Sequence, residues 1–445
     1  MYKTEIKLSD HFDIKRMLKF TMPSIIMMVF TSIYSVVDGF FVSNFVNKTA
    51  FAAVNFIMPV LMILGTVGWM FGAGGSALVA MTLGMGKREK ANKIFSMIVY
   101  LTVAISALIS LVSFIFLPNI ASILGAEGKM LEDCVLYGRI IIVALPFFML
   151  QFEFQSFFIT AEKPKLGLLT TVISGVANMV LDALLIAVLD MGLVGAALAT
   201  AISQSLGGII PVVYFACKNS SLLRLTSWEF DGRALLKTCT NGSSEFMNNI
   251  SMSVVSMVYN IQLMRFAGED GVAAYGVLMY VNMIFISTFI GFAVGIAPVV
   301  GFHFGAKNHD ELHGLLVKSL KIISVCAVLM LIFGELLAYP LSYIFVGYDE
   351  ALMSMTHRGF VIYSLSFLFS GFAIYGSTFF TALNDGLTSA IMAFLRTLVF
   401  QIAAVLLFPL VWELDGIWFS IVAAEIAAVL LNVFFLVVKR KKYNY

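Results

Sequence analysis

Charge is what this sequence has least of. Asp, Glu, Lys and Arg make up 12% of its 445 residues, against about 25% in a soluble domain. Hydrophobic residues make up 60% and the mean hydropathy is +0.96, which excludes an ordinary water-soluble globule. The four cysteines, Cys134, Cys217, Cys239 and Cys326, are scattered with no CxxC spacing, so neither a disulfide framework nor a zinc site is expected. No Walker motif is present, so ATP is not expected to act directly. The glycine-rich FGAGG at Phe71–Gly75 lies inside a long apolar run with no strand before it, and close helix packing explains it better than phosphate binding. HDELH at His309–His313 has metal-like spacing, but the metal-binding helix motif needs Glu directly after the first His, and here Asp310 stands there. Asn308 reads instead as a helix cap, with Asp310 and Glu311 in the first turn. No nucleophile–base or metal constellation is visible at one depth. An enzyme is therefore not expected, and no catalytic residue, cofactor or metal is assigned. The net charge of +2 says little about partners, and no nucleic-acid partner is expected.

What the chain has in quantity is apolar runs of spanning length. They fall at 17–42, 52–82, 94–117, 136–158, 166–189, 193–217, 238–266, 273–302, 319–346, 359–381, 388–410 and 416–438. The expected fold class is thus an all-α membrane protein of twelve transmembrane helices. The polar opening segment and the length of the first apolar run argue against a cleavable leader. Lys and Arg set the orientation. They crowd Lys15, Arg16 and Lys19, the loop GKREKANK, Lys163 and Lys165, Arg224 to Lys237, Lys307 and Lys318, and the tail KRKK. With twelve spans these lie on one side. The acidic turns near Glu132, Glu269, Asp349 and Glu413 lie on the other. Both termini are expected in the cytoplasm.

The longest polar connection, CKNSSLLRLTSWEFDGR at 217–233, splits the chain. GMGK from Gly84 is echoed by GAKN from Gly305, FFITA to Ala161 by FFTA to Ala382, and GLVG to Gly195 by DG to Gly416, each 221 residues on. One constant offset at three landmarks indicates duplication. Two parallel six-helix bundles follow: a first lobe at 1–217, a cytoplasmic linker at 218–237 and a second lobe at 238–445. Such symmetry suits a transporter with its pathway between the halves.

Against this apolar background two acids stand out. Asn178 and Asp182 are four apart in GVANMVLDALLI, hence on one helical face. Asp38 interrupts IMMVFTSIYSVVDGFFV, with Tyr34 one turn before it. A carboxylate in hydrocarbon is costly and marks function by default. At about 1.5 Å per residue, Asp38, Asp182 and Thr200 fall at similar depth in the outer half of the first lobe. Carboxylate, carboxamide, hydroxyl and phenol oxygens suit a hard monovalent cation or a proton relay. The competing account is interhelical hydrogen-bond glue. At the 221 offset Asp38 corresponds to Tyr259, Asn178 to Val399 and Asp182 to Ala403, so ion chemistry is expected in the first lobe alone.

PSIIMMVFTSIYSVVDGFFVS in the first helix, AEKPKLG before the fifth, NMVLD within it and GAALAT in the sixth together resemble the multidrug and toxic compound extrusion (MATE) family, in its prokaryotic DinF-like branch. The resemblance covers nearly the whole chain. It implies that Tyr34, Asp38, Asn178, Asp182 and Thr200 form a cation or proton site, and that Pro23 marks a bend of the first helix, since an interior proline removes a backbone bond. It fails where another branch places acids in the seventh and tenth helices, which disfavours a second-lobe site of that kind. What it implies overall is a cation-coupled antiporter, driven by H⁺ or Na⁺, that exports organic cations or amphiphilic drugs from the plasma membrane as a monomer among membrane lipids. The alternative is a lipid-linked saccharide flippase of the same superfamily.

Glu153, Glu245, Glu335, Arg396 and Glu425 also lie in apolar runs. Glu245 and Arg396 sit at similar depth in the second lobe and are expected to pair, or else to touch substrate. The many Met and Phe residues suit an adaptable pocket, though core packing explains them equally well.

Overall fold

The computed structural model describes residues 6–46 and 48–445. The chain is almost wholly helical, with no strand among the described residues. The first half holds α1 (Ile14–Phe45), α2 (Lys48–Gly84), α3 (Arg88–Ile123), α4 (Gly128–Thr160), α5 (Pro164–Asp182, continued by a π-helical turn at Ala183–Val188) and α6 (Gly192–Ala216). An extended connection at 217–231 follows. The helical stretch Gly232–Gly305 is broken at Gly268, where φ 65° and ψ −152° reverse the chain. It therefore forms α7 (232–267) and α8 (269–305). Next come α9 (His309–Val346), α10 (Glu350–Ser364 and Phe367–Ala382, bent by 49° between them), α11 (Gly386–Leu407) and α12 (Pro409–Tyr443, interrupted at Glu413, where φ is 47° and ψ −126°). Among the described residues, ten helices are long and apolar enough to cross a membrane, and the bent pair makes eleven. Division at Gly268 makes twelve, as the hydropathy runs predict.

Helix starts follow from local chemistry. Asp13, Asp231, Asn308, Asp349 and Asp385 each accept hydrogen bonds from backbone N–H groups of the first turn, satisfying donors that a helix cannot pair internally. The turns carry the repeat as well. Residues with left-handed φ recur at Gly86 and Lys307, at Glu162 and Asn384, and at Asp190 and Glu413, at offsets of 221, 222 and 223.

Twelve alternating spans put both chain ends on one face, here called the terminal side. There the halves are knitted together. α2 crosses α7 where Gly74 faces the Thr238 carbonyl and Gly242 faces that of Met70, so closely that a Cβ on either glycine has no room. One apolar cluster joins Leu8, Phe12, Met17, Phe20 and Ile159 to α8, α9 and α10. Another joins α2, α3 and α4 to Ala234 and Phe302. On the opposite side the cores part. Residues of the first half alone form one cluster around Ile57, Tyr137 and Ile186. Residues of the second half alone form another around Tyr275, Phe360 and Trp418.

The segment before α1 bridges the closed side. The Leu8 N–H donates to Glu162 Oε1 (2.6 Å), the Phe12 N–H to Glu311 Oε1 (2.8 Å) and Lys318 Nζ to the Phe12 carbonyl (2.6 Å), while His11 Nδ1 lies 2.6 Å from Glu311 Oε2. Leu8 and Phe12 are fully buried. Burial raises the Glu162 carboxyl above the usual carboxylate range, opposed by the Leu8 N–H and by Lys7.

Candidate functional site

α1 and α5 run side by side because Gly175 leaves space for the rings of α1. A Cβ there would lie 2.6 Å from Phe30 and 2.8 Å from Tyr34. Gly175, Asn178 and Asp182 share one face of α5. The approach at Gly175 sets the register that brings Asp38, one turn beyond Tyr34, against Asn178 and Asp182. Ser174 Oγ donates to the Ser203 carbonyl (2.6 Å) and Ser203 Oγ to the Thr200 carbonyl (2.9 Å), which ties α6 to α5 at the same level. α4 closes the site from behind. Its Tyr137 lies near Thr200 and both acids, and its Gln151 reaches the Tyr34 phenol.

Three of the five expected residues, Asp38, Asn178 and Asp182, are thus in direct proximity. Tyr34 abuts Asp38 from its own helix, and Thr200 joins through Tyr137. The sequence reading missed Tyr137 and Gln151, because a phenol and an amide in an apolar helix carry no cost that singles them out.

The site is rich in oxygen and poor in donors. Asp182 is fully buried and Asn178 nearly so. Both Asp182 carboxyl oxygens, Asp38 Oδ1 and Thr200 Oγ1 are buried without a hydrogen-bond partner. Buried polar atoms are ordinarily paired, and two facing carboxylates repel strongly where the dielectric is low. A proton or a monovalent cation shared among these oxygens satisfies them, so the donor set fits such a guest. Directly after Asp182, α5 opens into its π-helical turn, a local widening frequent at functional sites.

The second half differs in chemistry. Tyr259, the counterpart of Asp38, is buried and donates to Gln401 Oε1 (2.9 Å), its ring stacked on Tyr275. This neutral bond occupies the place that facing acids hold in the first half.

One expectation is corrected. Arg396 does not pair with Glu245. Its guanidinium is bidentate on Glu425 of α12, with Nε 3.0 and 3.1 Å and one terminal nitrogen 2.8 Å from the carboxylate oxygens. α12 packs along α11 and offers a planar carboxylate in line with the guanidinium fork, the favoured geometry for such a pair. Glu245 on α7 lies near Arg396 and beside Asn248, as a second acid around one cation. Pro23 lies inside α1, which runs as one helix from Ile14 to Phe45. Gly291 and Gly295 of α8 lie against Thr21, Ser24 and Ile25 and hold that stretch in place. Of the remaining acids, Glu335 accepts from Ser364 Oγ. Glu153 is fully buried beside Thr102 with both carboxyl oxygens unpartnered.

Comparison with known proteins matches the MatE family at residues 23–184 and again at 246–407, one match in each half. The multidrug export protein MepA of Staphylococcus haemolyticus is 25% identical over 427 residues, covering 94% of this chain and 92% of its own. MepA of Staphylococcus aureus (strain MRSA252) is 25% identical over 413 residues, covering 92% and 90%. Among solved structures, a MATE protein in complex with MaL6 superposes with a TM-score of 0.94 at 22% identity, over 99% of both chains.

Proposed function

Because the chain belongs to the MatE family, and is therefore a membrane transporter rather than an enzyme, we propose that it exports organic cations or amphiphilic drugs by antiport with H⁺ or Na⁺. The carrying observation is the cluster of unpartnered buried oxygens where Asp38 faces Asp182. Asp38, Asp182, Asn178 and Thr200 would hold the coupling ion, with Tyr34 and Tyr137 enclosing them. The same oxygens serve a proton or Na⁺. The MepA relatives are multidrug export proteins.

Alternating access is supported by the way the halves meet. They are joined on the terminal side and have separate cores on the other. If the Lys- and Arg-rich terminal side faces the cytoplasm, as their distribution favours, this arrangement faces outward. A guest on Asp38 and Asp182 neutralises their repulsion and lets α1, α5 and α6 close more tightly. It therefore binds the two states unequally, which is what coupling requires. In the second half, Glu245 and Glu425 lie around Arg396, whose guanidinium Glu425 engages. Two acids beside one engaged cation suit a cationic substrate better than a lipid-linked saccharide, which carries phosphate. Each protomer holds a complete set of these groups, in keeping with a monomer.

The test is transport in liposomes. The parent protein moves a cationic dye against its gradient when an H⁺ or Na⁺ gradient is imposed. Asp38→Asn and Asp182→Asn each stop coupled movement while the protein stays folded. Parent-like coupling in either variant would refute the site.

A further inference from the structure

Arg139 is a cation that the transport cycle does not use. It lies on α4 with Glu132, Leu136 and Val143, spaced 4, 3 and 4 along one helical stripe. That stripe faces outward, with Leu136 43% and Val143 66% exposed. Across from it, α3 presents Leu111, Phe114 and Ile115, also exposed. Between the two helices is a groove of about 450 Å³ lined by Pro118, Leu131, Glu132, Val135, Leu136 and Arg139. The Arg139 guanidinium lies over the Phe114 ring, 4.9 Å from its centroid. Its Nε is buried and has no hydrogen-bond partner, and no carboxylate pairs with it among the described residues. An apolar surface around a spanning bundle is covered by lipid, and an unpaired guanidinium there is costly unless an oxyanion meets it.

Depth identifies that oxyanion. α4 is 33 residues long, about 50 Å, and a bilayer core is about 30 Å. About 10 Å of helix therefore projects at each end. Arg139 is eleven residues from Gly128, about 16 Å along the axis, so its Cα lies only about 6 Å inside the hydrocarbon. Helical side chains lean toward the N-terminus, which for α4 is toward the near interface. The guanidinium thus snorkels to the level of lipid phosphates, on the face opposite the chain termini. Two turns nearer that interface, Glu132 stands at the mouth of the groove with Lys129 3.3 Å away.

We propose that the α3–α4 groove is a phospholipid site that selects zwitterionic aminophospholipid of the phosphatidylethanolamine class, its phosphate on Arg139 and its ammonium on Glu132. The planar fork suits two phosphate oxygens at once. The exposed apolar walls take an acyl chain, and the mouth supplies the negative charge that an ammonium head group needs.

Native mass spectrometry of the full-length protein, titrated separately with phosphatidylethanolamine and phosphatidylglycerol, tests this without reference to transport. Arg139→Gln should weaken phosphatidylethanolamine binding at least about tenfold, as expected for loss of charged hydrogen bonds. Leu136→Trp, which fills the groove and leaves every charge in place, should do the same. Glu132→Gln should retain a bound lipid but lose the preference for phosphatidylethanolamine over phosphatidylglycerol. Parent-like affinity in both Arg139→Gln and Leu136→Trp would overturn the site. An unchanged preference in Glu132→Gln would overturn its selectivity. Drug transport failing in liposomes would leave these affinities untouched, so the two readings fail separately.

Discussion

Glu311 is the bond that the terminal side must break if the halves exchange which face is open. Its side chain is 9% exposed and its carboxylate accepts the buried Phe12 N–H at 2.8 Å. A hydrogen bond to a charged acceptor contributes about 1.5–3 kcal/mol. The His11 contact adds little, because that ring is 71% exposed and exposed pairs are worth at most about 1 kcal/mol. Glu311→Ala therefore removes about 2–3 kcal/mol from the closed terminal side, a shift of about 30- to 150-fold in the balance of states. Glu311→Gln keeps one carbonyl acceptor for Phe12 and should shift it less. The measurement is a spin-label distance between cysteines at Lys165 and His313, two exposed positions on the terminal-side ends of the two halves, in a background without the four native cysteines. A longer-distance population should appear in Glu311→Ala, with a smaller one in Glu311→Gln. If Glu311→Ala leaves the distance distribution of the parent unchanged while remaining folded, the segment before α1 is not a latch.

Breaking the Arg396–Glu425 pair, with side chains 16% and 4% exposed, should cost about 3–5 kcal/mol in either Arg396→Gln or Glu425→Gln. The double variant should recover part of that loss in thermal melts, whereas strict additivity would deny the contact. Glu162 titrates in the opposite sense from a stabilising carboxylate. Burial raises its folded value, so its contribution is fully present below the unfolded value of about 4.3 and is lost as pH rises through the raised one. Glu162→Gln should remove that component from a plot of Tm against pH, and an identical slope in parent and variant would contradict it. Pro23→Ala restores a backbone donor inside α1 and should slow exchange between states; unchanged turnover in vesicles would make the proline merely tolerated.

Much of this protein was legible without coordinates. Twelve spans follow from run length, since a bilayer of fixed thickness demands about twenty apolar residues per crossing. The duplication follows from one offset, which the left-handed turns at Gly86 and Lys307 repeat in three dimensions. Asp38 and Asp182 declared themselves because burying a carboxylate in hydrocarbon is expensive wherever it points. What residue types do not encode is direction across helices. Similar depth suggested Glu245 as the partner of Arg396, but depth along an axis leaves rotation about it undetermined, and rotation gave Arg396 to Glu425. Tyr137 and Gln151 were silent for the same reason, since only the packing of α4 behind α1 and α5 aims them at the acids. The bend in α10 and the π-helical turn after Asp182 depend on hydrogen-bond register, which neighbouring helices impose. The sequence by itself determined the number of crossings, the repeat and the two costly acids, all set by solvation along the chain. The tertiary structure alone decided which polar groups meet and which side of the molecule is closed, because both depend on how helices rotate and pack against one another.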